Sequence, residues 1–189
     1  LCTNPELPFP DLQFVFTPAS YAESADPIGK LHPYPGITCG VWQMVPTSRG
    51  FVRAASSDPF RSPAIQPNYL ATELDQLAVV RGLNWCRKLL NTNALKPYLM
   101  DEILPGLQCR QDDDLLTYAA KSGTTVYHPV GSCRMGTDNM AVVDPQLRLK
   151  GMTGLRVVDA SVMPTIVSAN TNATTLMIAE KAAQLILDQ

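Results

Sequence analysis

The spacing of apolar residues predicts strands over much of the first 70 residues. Large apolar residues occupy alternate positions over residues 11–19, and this period of two is typical of a half-buried strand. Residues 37–46 and 49–57 predict two more strands, joined by a turn-like Thr-Ser-Arg-Gly segment. The prolines in 20–36 and 58–70 instead favour a surface loop and an extended segment, because proline fixes φ and removes a backbone donor.

A longer apolar period predicts two helices in the middle of the chain. Residues 72–91 carry an apolar stripe at helical spacing, with Thr72 as the N-cap and acidic residues in the first turn. A shorter helix is predicted within 111–122, where three aspartates suit a helix start. The stripe of the longer helix comprises Leu74, Leu77, Ala78, Arg81, Trp85, Cys86, Leu89 and Leu90.

Short strands and an apolar helix are predicted in the C-terminal part. Residues 124–128 are rich in β-formers and predict a strand that ends at His128, and two short strands are predicted within 141–164. Apart from Arg156, residues 155–160 are apolar on both faces, as in a buried strand of a parallel sheet. Residues 171–188 predict a helix with a single polar stripe, which we expect to be largely buried.

Together these elements predict an α+β fold in two unequal parts. Residues 1–150 are expected to form a mainly antiparallel sheet flanked by helices. Residues 151–189 are expected to form a strand–loop–helix unit. Because both faces of that unit are apolar, its burial requires a sheet and further layers that this chain does not supply.

Composition and charge exclude several classes of protein. The chain is 46% apolar and 17% charged with a net charge of −2, whereas intrinsic disorder requires fewer apolar residues and more net charge. No run of basic residues is longer than Arg87-Lys88, which argues against nucleic acid as a partner. No apolar run reaches the roughly 18 residues of a membrane-spanning helix.

The five cysteines are widely spaced and include no Cys-x-x-Cys pair. This pattern argues against a zinc site or a disulfide framework and favours reduced thiols in a cytoplasmic protein. No signal peptide is visible. Because the chain begins with Leu1 rather than Met, we interpret its start as a truncation, which leaves the compartment open.

His128 is the first candidate for chemistry. It is one of two histidines, and the following Pro129 restricts its backbone to extended conformations. A histidine changes charge near neutral pH and can therefore take or give a proton. A histidine that is hydrogen-bonded at a strand end explains the same pattern, so the residues alone leave both interpretations open. The other histidine, His32, is interpreted as an ordinary loop residue.

The segment that precedes the last helix is the second candidate. A helix N-terminus presents free N–H groups and a partial positive charge, which stabilise an anionic group beside it. Asn170 and Asn172 can cap this helix, but capping requires only one of them. Neither this segment nor His128 identifies a function by itself.

Three stretches taken together resemble one protein family. Residues 44–70, 127–136 and 141–186 are similar, in sequence and in order, to the C-terminal region of glucose–methanol–choline (GMC) oxidoreductases. Within that family the resemblance is to choline dehydrogenase-like and bacterial alcohol dehydrogenase members. It covers residues 11–188.

The resemblance implies an FAD-dependent enzyme that oxidises a small-molecule alcohol to an aldehyde or ketone by hydride transfer to flavin N5. It assigns His128 as the base for the hydroxyl proton, and Asn170 as a hydrogen-bonding partner of the substrate oxygen. It also assigns residues 1–150 to a substrate-binding domain and residues 151–189 to the C-terminal piece of a Rossmann-like FAD-binding domain. The residues expected at the cofactor are Asp159 and Ala160 along the ribityl–pyrophosphate part, and Thr171, Asn172 and Ala173 at the pyrimidine ring.

One family feature is missing from the chain. The G-x-G-x-x-G turn that cradles the pyrophosphate occurs nowhere in the 189 residues. We therefore expect an upstream FAD-binding polypeptide, in the same or a separate chain, to complete the site, and this chain alone to be inactive. The alcohol, the electron acceptor and the formation of a homo-oligomer are left open. The alternatives are an isolated domain of this type that acts as a binding module, and a lyase that keeps FAD for a structural role.

Overall fold

The computed structural model describes residues 3, 7–22 and 30–188. Cys2 and residues 23–29 of the predicted loop lie outside the described residues. The described elements are the strands β1 (Leu12–Thr17), β2 (Tyr21–Ala22), β3 (Lys30–Leu31), β4 (Thr38–Gln43), β5 (Phe51–Arg53) and β6 (Ala64–Gln66), the helices α1 (Glu73–Leu90), α2 (Asp112–Ser122) and α3 (Asn172–Leu187), and the short 3₁₀ helices Lys96–Tyr98 and Ala160–Val162.

The chain divides into two compact units, and each is built from two separate segments. The first unit comprises Leu1–Ser48 and Leu70–Val126, and the second comprises Arg49–Tyr69 and Tyr127–Gln189. The two units are defined by which residues contact each other, and not by which ligand they bind. The expected assignment of residues 1–150 to substrate and 151–189 to FAD therefore stays a prediction.

Strand pairing confirms an α+β architecture with small antiparallel sheets. Within the described ranges the strands pair as β1 with β4, β2 with β3, and β5 with β6, each pair antiparallel. The two strands predicted on either side of the Thr-Ser-Arg-Gly segment form, but they do not pair with each other: β4 pairs with β1 and β5 with β6. The segment carries the chain from one unit to the other instead of closing a hairpin.

Helix α1 packs on β4 in the first unit, and its first turn forms as predicted. Thr72 is the N-cap and its side chain accepts a hydrogen bond from the backbone N–H of Asp75. The predicted stripe is only partly the buried face, because Leu74 and Trp85 remain exposed while Gly82 and Cys86 are buried. Small residues on the packed face let the helix approach the sheet closely.

The core of the second unit lies between the 3₁₀ turn Ala160–Val162 and α3. Its buried members are Val143, Leu147, Val162, Met163, Ile178 and Ala182. Ile178 and Ala182, four residues apart, are the buried positions of α3, whereas Leu176 and Leu187 are exposed. The expectation that α3 is largely buried is therefore wrong for this chain, which supplies partners for one narrow face of the helix.

The predicted strands of the C-terminal part are not formed as such. Residues 124–128 have no strand structure, and 141–164 contains only isolated bridges, namely those that join Val143 to Met135 and Leu149, and Arg148 to Arg156. Residues 155–160, expected to be a strand of a parallel sheet, make the single bridge at Arg156. A strand is stable only beside a partner, and no parallel neighbour for this segment lies among the described residues.

Candidate active site

His128 lies in an irregular segment, residues 127–136, which we call the histidine loop. The side chain of His128 is half-buried and follows Tyr127, whose φ of 61° lies in the left-handed region. His128 therefore does not end a strand, which corrects the sequence-based expectation. The left-handed residue turns the chain sharply just before His128, and Pro129 holds it extended just after.

Backbone hydrogen bonds fix the rest of the histidine loop on the 3₁₀ turn Ala160–Val162. The N–H of Cys133 donates to the carbonyl of Ser161 at 3.0 Å, and the N–H of Met135 donates to that of Val162 at 2.8 Å. Gly131 has a φ of 85°, and a Cβ there would lie 3.3 Å from the carbonyl oxygen of Met163. A side chain would be strained at this position, so the sequence needs glycine here.

An ion pair closes the far end of the loop. The Nη1 and Nη2 atoms of Arg134 donate to the two carboxylate oxygens of Asp138 at 2.9 and 2.6 Å. The Arg134 hydrogen bond, together with one from the N–H of Met140, holds the pKa of the Asp138 carboxyl well below its usual range. The two-pronged contact fixes the direction in which the chain leaves the loop.

The 3₁₀ turn positions two of the predicted cofactor residues. Asp159 is its N-cap, and its carboxylate accepts from the N–H of Ser161 at 2.7 Å. Asp159 is exposed, whereas Ala160 is half-buried and packs on the core of the second unit. The turn thus presents one acidic side chain to solvent from a well-packed base.

Helix α3 begins at Asn172, directly after the buried Thr171. The N-cap is Thr171, which makes no side-chain capping bond, so the prediction that Asn170 or Asn172 caps the helix is wrong. The carbonyl of Thr171 accepts from both the N–H and the hydroxyl of Thr175 at 2.9 Å. Asn170, Asn172 and Ala173 are exposed.

This helix start leaves positive charge uncompensated. The first turn of α3 contains no acidic residue, and its N-cap Thr171 makes no side-chain capping bond. Such a terminus carries roughly half a positive charge and offers donors to an anionic group. The local structure therefore suits an electron-rich ligand atom that lies next to the N–H of Asn172.

Backbone hydrogen bonds connect the histidine loop to the 3₁₀ turn that precedes the second candidate segment. The histidine loop is bonded to the turn at 160–162, and the same chain reaches Asn170 eight residues later. No hydrogen bond joins the side chains of His128 and Asn170, although both residues are among those described. The sequence pattern missed the carbonyls of Ser161 and Val162, because a backbone acceptor leaves no signal in residue type.

The described part of the chain contains neither a candidate metal cluster nor a candidate membrane-spanning helix. Its residues contain no cluster of three or more histidine, cysteine or acidic side chains that could hold a metal ion. None of its helices combines the length and apolar character needed to cross a bilayer.

Comparisons with known proteins agree on one family. The family model described as GMC oxidoreductase matches residues 46–179. The alcohol dehydrogenase [acceptor] of Pseudomonas putida is 38% identical over 98% of this chain, and an oxygen-dependent choline dehydrogenase of Escherichia coli O127:H6 is 41% identical over 96%. These alignments cover 33% and 32% of the relatives, so the chain spans about a third of their length.

A solved structure gives the same result for the fold. A formate oxidase from Aspergillus oryzae RIB40, studied for the modification of its FAD, superposes with a TM-score of 0.82 at 28% identity, covering 95% of this chain and 32% of its own. The two sequence alignments and the superposition thus each cover 95% or more of this chain. The chain belongs to the GMC oxidoreductase family, as a part that matches its C-terminal region.

Proposed function

We propose that this chain is the C-terminal catalytic part of an FAD-dependent oxidoreductase that oxidises a primary alcohol, choline-like or other, to an aldehyde. The structural neighbours of this family are FAD-dependent flavoproteins, and its curated relatives are alcohol and choline dehydrogenases. The observation that carries the proposal is the backbone bonding of the histidine loop to the turn at 160–162. It ties the loop that carries the half-buried His128 to the segment that leads into α3.

The residues expected at the cofactor suit a flavin. The N-terminus of α3 carries donors without a side-chain cap, and Asn172 and Ala173 beside it are exposed. Asp159 and Ala160 would hold the ribityl–pyrophosphate part, and Thr171 with Asn172 and Ala173 would hold the pyrimidine ring. When bound, FAD supplies the hydride acceptor at its N5 atom.

His128 and Asn170 would divide the work on the substrate hydroxyl. The imidazole of His128 would take the hydroxyl proton as the alcohol carbon is oxidised, because a neutral histidine is a base near pH 7. The amide of Asn170 would donate a hydrogen bond to the same oxygen and orient it. An amide does not titrate, so it would not compete with His128 for the proton.

The start of α3 would contribute electrostatically. Negative charge on a reduced ring system is stabilised by donors and dipoles that are already oriented, in the way an oxyanion hole acts. The uncapped N–H groups after Thr171 meet this requirement without rearrangement. Thr171 is 8% exposed, and its carbonyl accepts from the hydroxyl of Thr175, which packs and bonds the start of the helix.

The direct test replaces the proposed base in the longer protein that the proposal requires, namely this chain with its upstream FAD-binding polypeptide. We expect His128→Ala to lower the rate of flavin reduction by an alcohol at least about 10²-fold, as loss of a general base does. The matched control is His32→Ala, which removes the other histidine and should leave that rate within about twofold, since His32 is bonded to Ser20 and stacked on Tyr34 in the first unit.

Stopped-flow bleaching of the flavin measures both rates. The companion variant Asn170→Ala should slow reduction and keep FAD bound. If His128→Ala reduces its flavin at the wild-type rate, His128 is not the base. Loss of FAD in Asn170→Ala would show that Asn170 binds the cofactor rather than the substrate.

If no alcohol bleaches the flavin of the wild type, the lyase interpretation is favoured. The binding-module alternative has no support in the relatives, whose names denote dehydrogenases.

A further inference from the structure

Two cysteines face each other across the contact between α1 and β4. Side chains alternate between the two faces of a strand, so Cys39, Val41 and Gln43 point to the same side of β4. Gln43 Nε2 donates to Asp75 Oδ1 of α1 at 2.8 Å. Val41 lies against Gly82 of α1, where an added Cβ would be 2.7 Å from Val41 Cγ2. The side of β4 that carries Cys39 is therefore the one that faces the helix.

The spacing of residues along the helix and the strand brings Cys86 opposite Cys39. The two contacts above show that α1 runs in the opposite direction to β4. Cys86 lies one turn after Gly82 on the buried face of α1, about 6 Å further along the helix axis. Cys39 lies two residues before Val41, about 7 Å away along the strand. Because the two steps are nearly equal and start from residues in contact, they end at residues that lie side by side.

The surroundings of the Cys86 thiol agree with this placement. Cys86 is 6% exposed, whereas Cys39 is half-buried, and neither is in a disulfide. Burial, and a hydrogen bond with the Cys39 thiol, raise the pKa of the Cys86 thiol. The first unit thus contains two thiols in contact, of which one is shielded and held protonated while the other is within reach of solvent.

We propose that Cys39 and Cys86 form an oxidation site, at which a hydroperoxide converts the two thiols into a disulfide that joins β4 to α1. A solvent-accessible cysteine next to a second, resolving cysteine is the arrangement found in thiols that respond to peroxide. The inference does not depend on the proposed function, since neither residue belongs to the candidate active site.

The reaction has two steps. The Cys39 sulfur attacks the peroxide: an S–O bond forms, the O–O bond breaks, and the thiol proton leaves with the released oxygen as water, or as an alcohol from an organic hydroperoxide. The Cys86 sulfur then attacks the sulfenic acid at Cys39: the S–S bond forms, the S–O bond breaks, and a second water carries away the Cys86 proton. Two electrons pass from the pair of thiols to the peroxide.

Contact between the thiols favours the second step although Cys86 is protonated. A reacting group that is already in place acts at a high effective concentration, which offsets the low fraction of thiolate. A disulfide also requires Cβ atoms only about 3.5–4.5 Å apart, and the missing side chain at Gly82 allows the close approach of α1 and β4. The new bond would close the loop of residues 39–86, which restricts the unfolded chain and so stabilises the folded one.

The test is made on the longer protein with FAD bound. The protein is treated with hydrogen peroxide, its remaining thiols are alkylated, and its peptides are mapped by mass spectrometry with and without reduction by dithiothreitol. We expect the peptides of Cys39 and Cys86 to be joined by a disulfide that dithiothreitol cleaves. Cys109→Ser is the matched control, because Cys109 is also a free, half-buried cysteine of the first unit, and its removal should leave the cross-link unchanged.

Two variants test the order of the steps. In Cys86→Ala, the sulfenic acid at Cys39 should accumulate and be trapped by dimedone, because its resolving partner is gone. In Cys39→Ser, Cys86 should stay reduced, since its thiol is shielded from solvent and protonated. If either variant fails to fold or to bind FAD, the peptide map of the wild type decides alone.

Thermal unfolding measures the effect of the bond on stability. We expect the peroxide-treated wild type to unfold at least about 2 °C above the untreated protein, and dithiothreitol to remove the difference. Cys86→Ala cannot form the bond and should show no such rise.

Three outcomes would overturn the inference. The first is a wild type in which peroxide leaves both Cys39 and Cys86 open to alkylation. The second is a Cys39 that proceeds to sulfinic acid while Cys86 stays reduced, because the two thiols would then not react with each other. The third is a cross-link that lowers the unfolding temperature. None of these measurements requires oxidation of an alcohol, so a failure of the proposed function is distinguished from a failure of this inference.

Discussion

Asp75 is a carboxylate at the start of α1 that is only 1% exposed. Its Oδ1 accepts from Gln43 Nε2 and from the N–H of Thr47, each at 2.8 Å, and its Oδ2 accepts from the N–H of Ser48 at 2.8 Å. Burial opposes ionisation, but hydrogen bonds from Ser48, Thr47 and Gln43 outweigh it and hold the pKa of Asp75 far below its ordinary value. The ionised carboxylate thus organises the chain at the point where it leaves the first unit.

Replacing this carboxylate should destabilise the first unit. In Asp75→Asn the amide N–H₂ faces backbone donors, so we expect the free energy of unfolding in urea at pH 7 to fall by about 2 to 3 kcal/mol. Glu73→Gln, an exposed acid in the same helical turn, is the matched control and should change it by less than about 0.5 kcal/mol.

The pH dependence follows from the direction of the shift. Because the folded-state pKa of Asp75 is depressed, its stabilisation is fully present above the unfolded pKa of about 3.9 and is lost as the pH falls below it. The gap between wild type and Asp75→Asn should therefore shrink by about 1.4 kcal/mol per pH unit below about pH 4. A gap that is unchanged in unfolding curves at acidic pH would contradict this account.

At the scale of elements, the contact of α1 with β4 is set by Gly82. A Cβ at this position would lie 2.7 Å from Val41 Cγ2 and 3.4 Å from Leu12 Cδ1. Alanine gains up to about 1 kcal/mol over glycine from helix propensity, but crowding in a packed core costs about 1 to 3 kcal/mol. Since the β-branched side chain of Val41 has little freedom to yield, the steric cost should exceed the gain in helix propensity.

We therefore expect Gly82→Ala to lower the free energy of unfolding by about 1 kcal/mol despite its better helix propensity. Val41→Ala removes the opposing methyl groups, so Gly82→Ala in that background should be neutral or stabilising. The double-mutant cycle in urea measures the coupling. If Gly82→Ala alone raises stability, the close approach of α1 and β4 is not what glycine provides here.

Local signals explain which elements the sequence predicted. The start of α1 follows from the side chain of Thr72 and the acids behind it, and α2 from its aspartates, since capping depends on residues only three or four apart. The strand expected over 155–160 failed because strand formation depends on a partner that residue pattern does not specify.

The residues proposed for the site could be named from the sequence, but their local backbone geometry could not. His128 and Asn170 stand out through residue type and resemblance, whereas the bonds of the histidine loop to the turn at 160–162 use backbone carbonyls that carry no side-chain signal. The left-handed Tyr127 could not be foreseen, because tyrosine has no preference for that region. Thr171 was not predicted as the N-cap either, because its neighbours Asn170 and Asn172 are of a residue type that caps helices more often.

At the scale of the molecule, the second unit presents surfaces that are unusual for a self-sufficient domain. The outer face of α3 exposes 63% of Leu176, 57% of Met177 and 79% of Leu187. The proposed FAD contacts at Asp159 and Asn172 are exposed as well. Apolar helix faces normally pack against other layers, so these surfaces fit the expectation that an upstream polypeptide completes the cofactor site.

The last prediction concerns FAD binding by the 189 residues themselves. They contain no G-x-G-x-x-G turn, and the donors at the start of α3 can address only one part of the cofactor. We expect a Kd for FAD of about 1 mM or weaker, which corresponds to about −4 kcal/mol. Quenching of FAD fluorescence measures it, with the longer protein as the positive control, in which His128→Ala should retain FAD. Micromolar binding by the 189 residues alone would mean that the chain binds FAD without the upstream polypeptide. The expectation that the upstream polypeptide is needed to complete the FAD site would then be wrong.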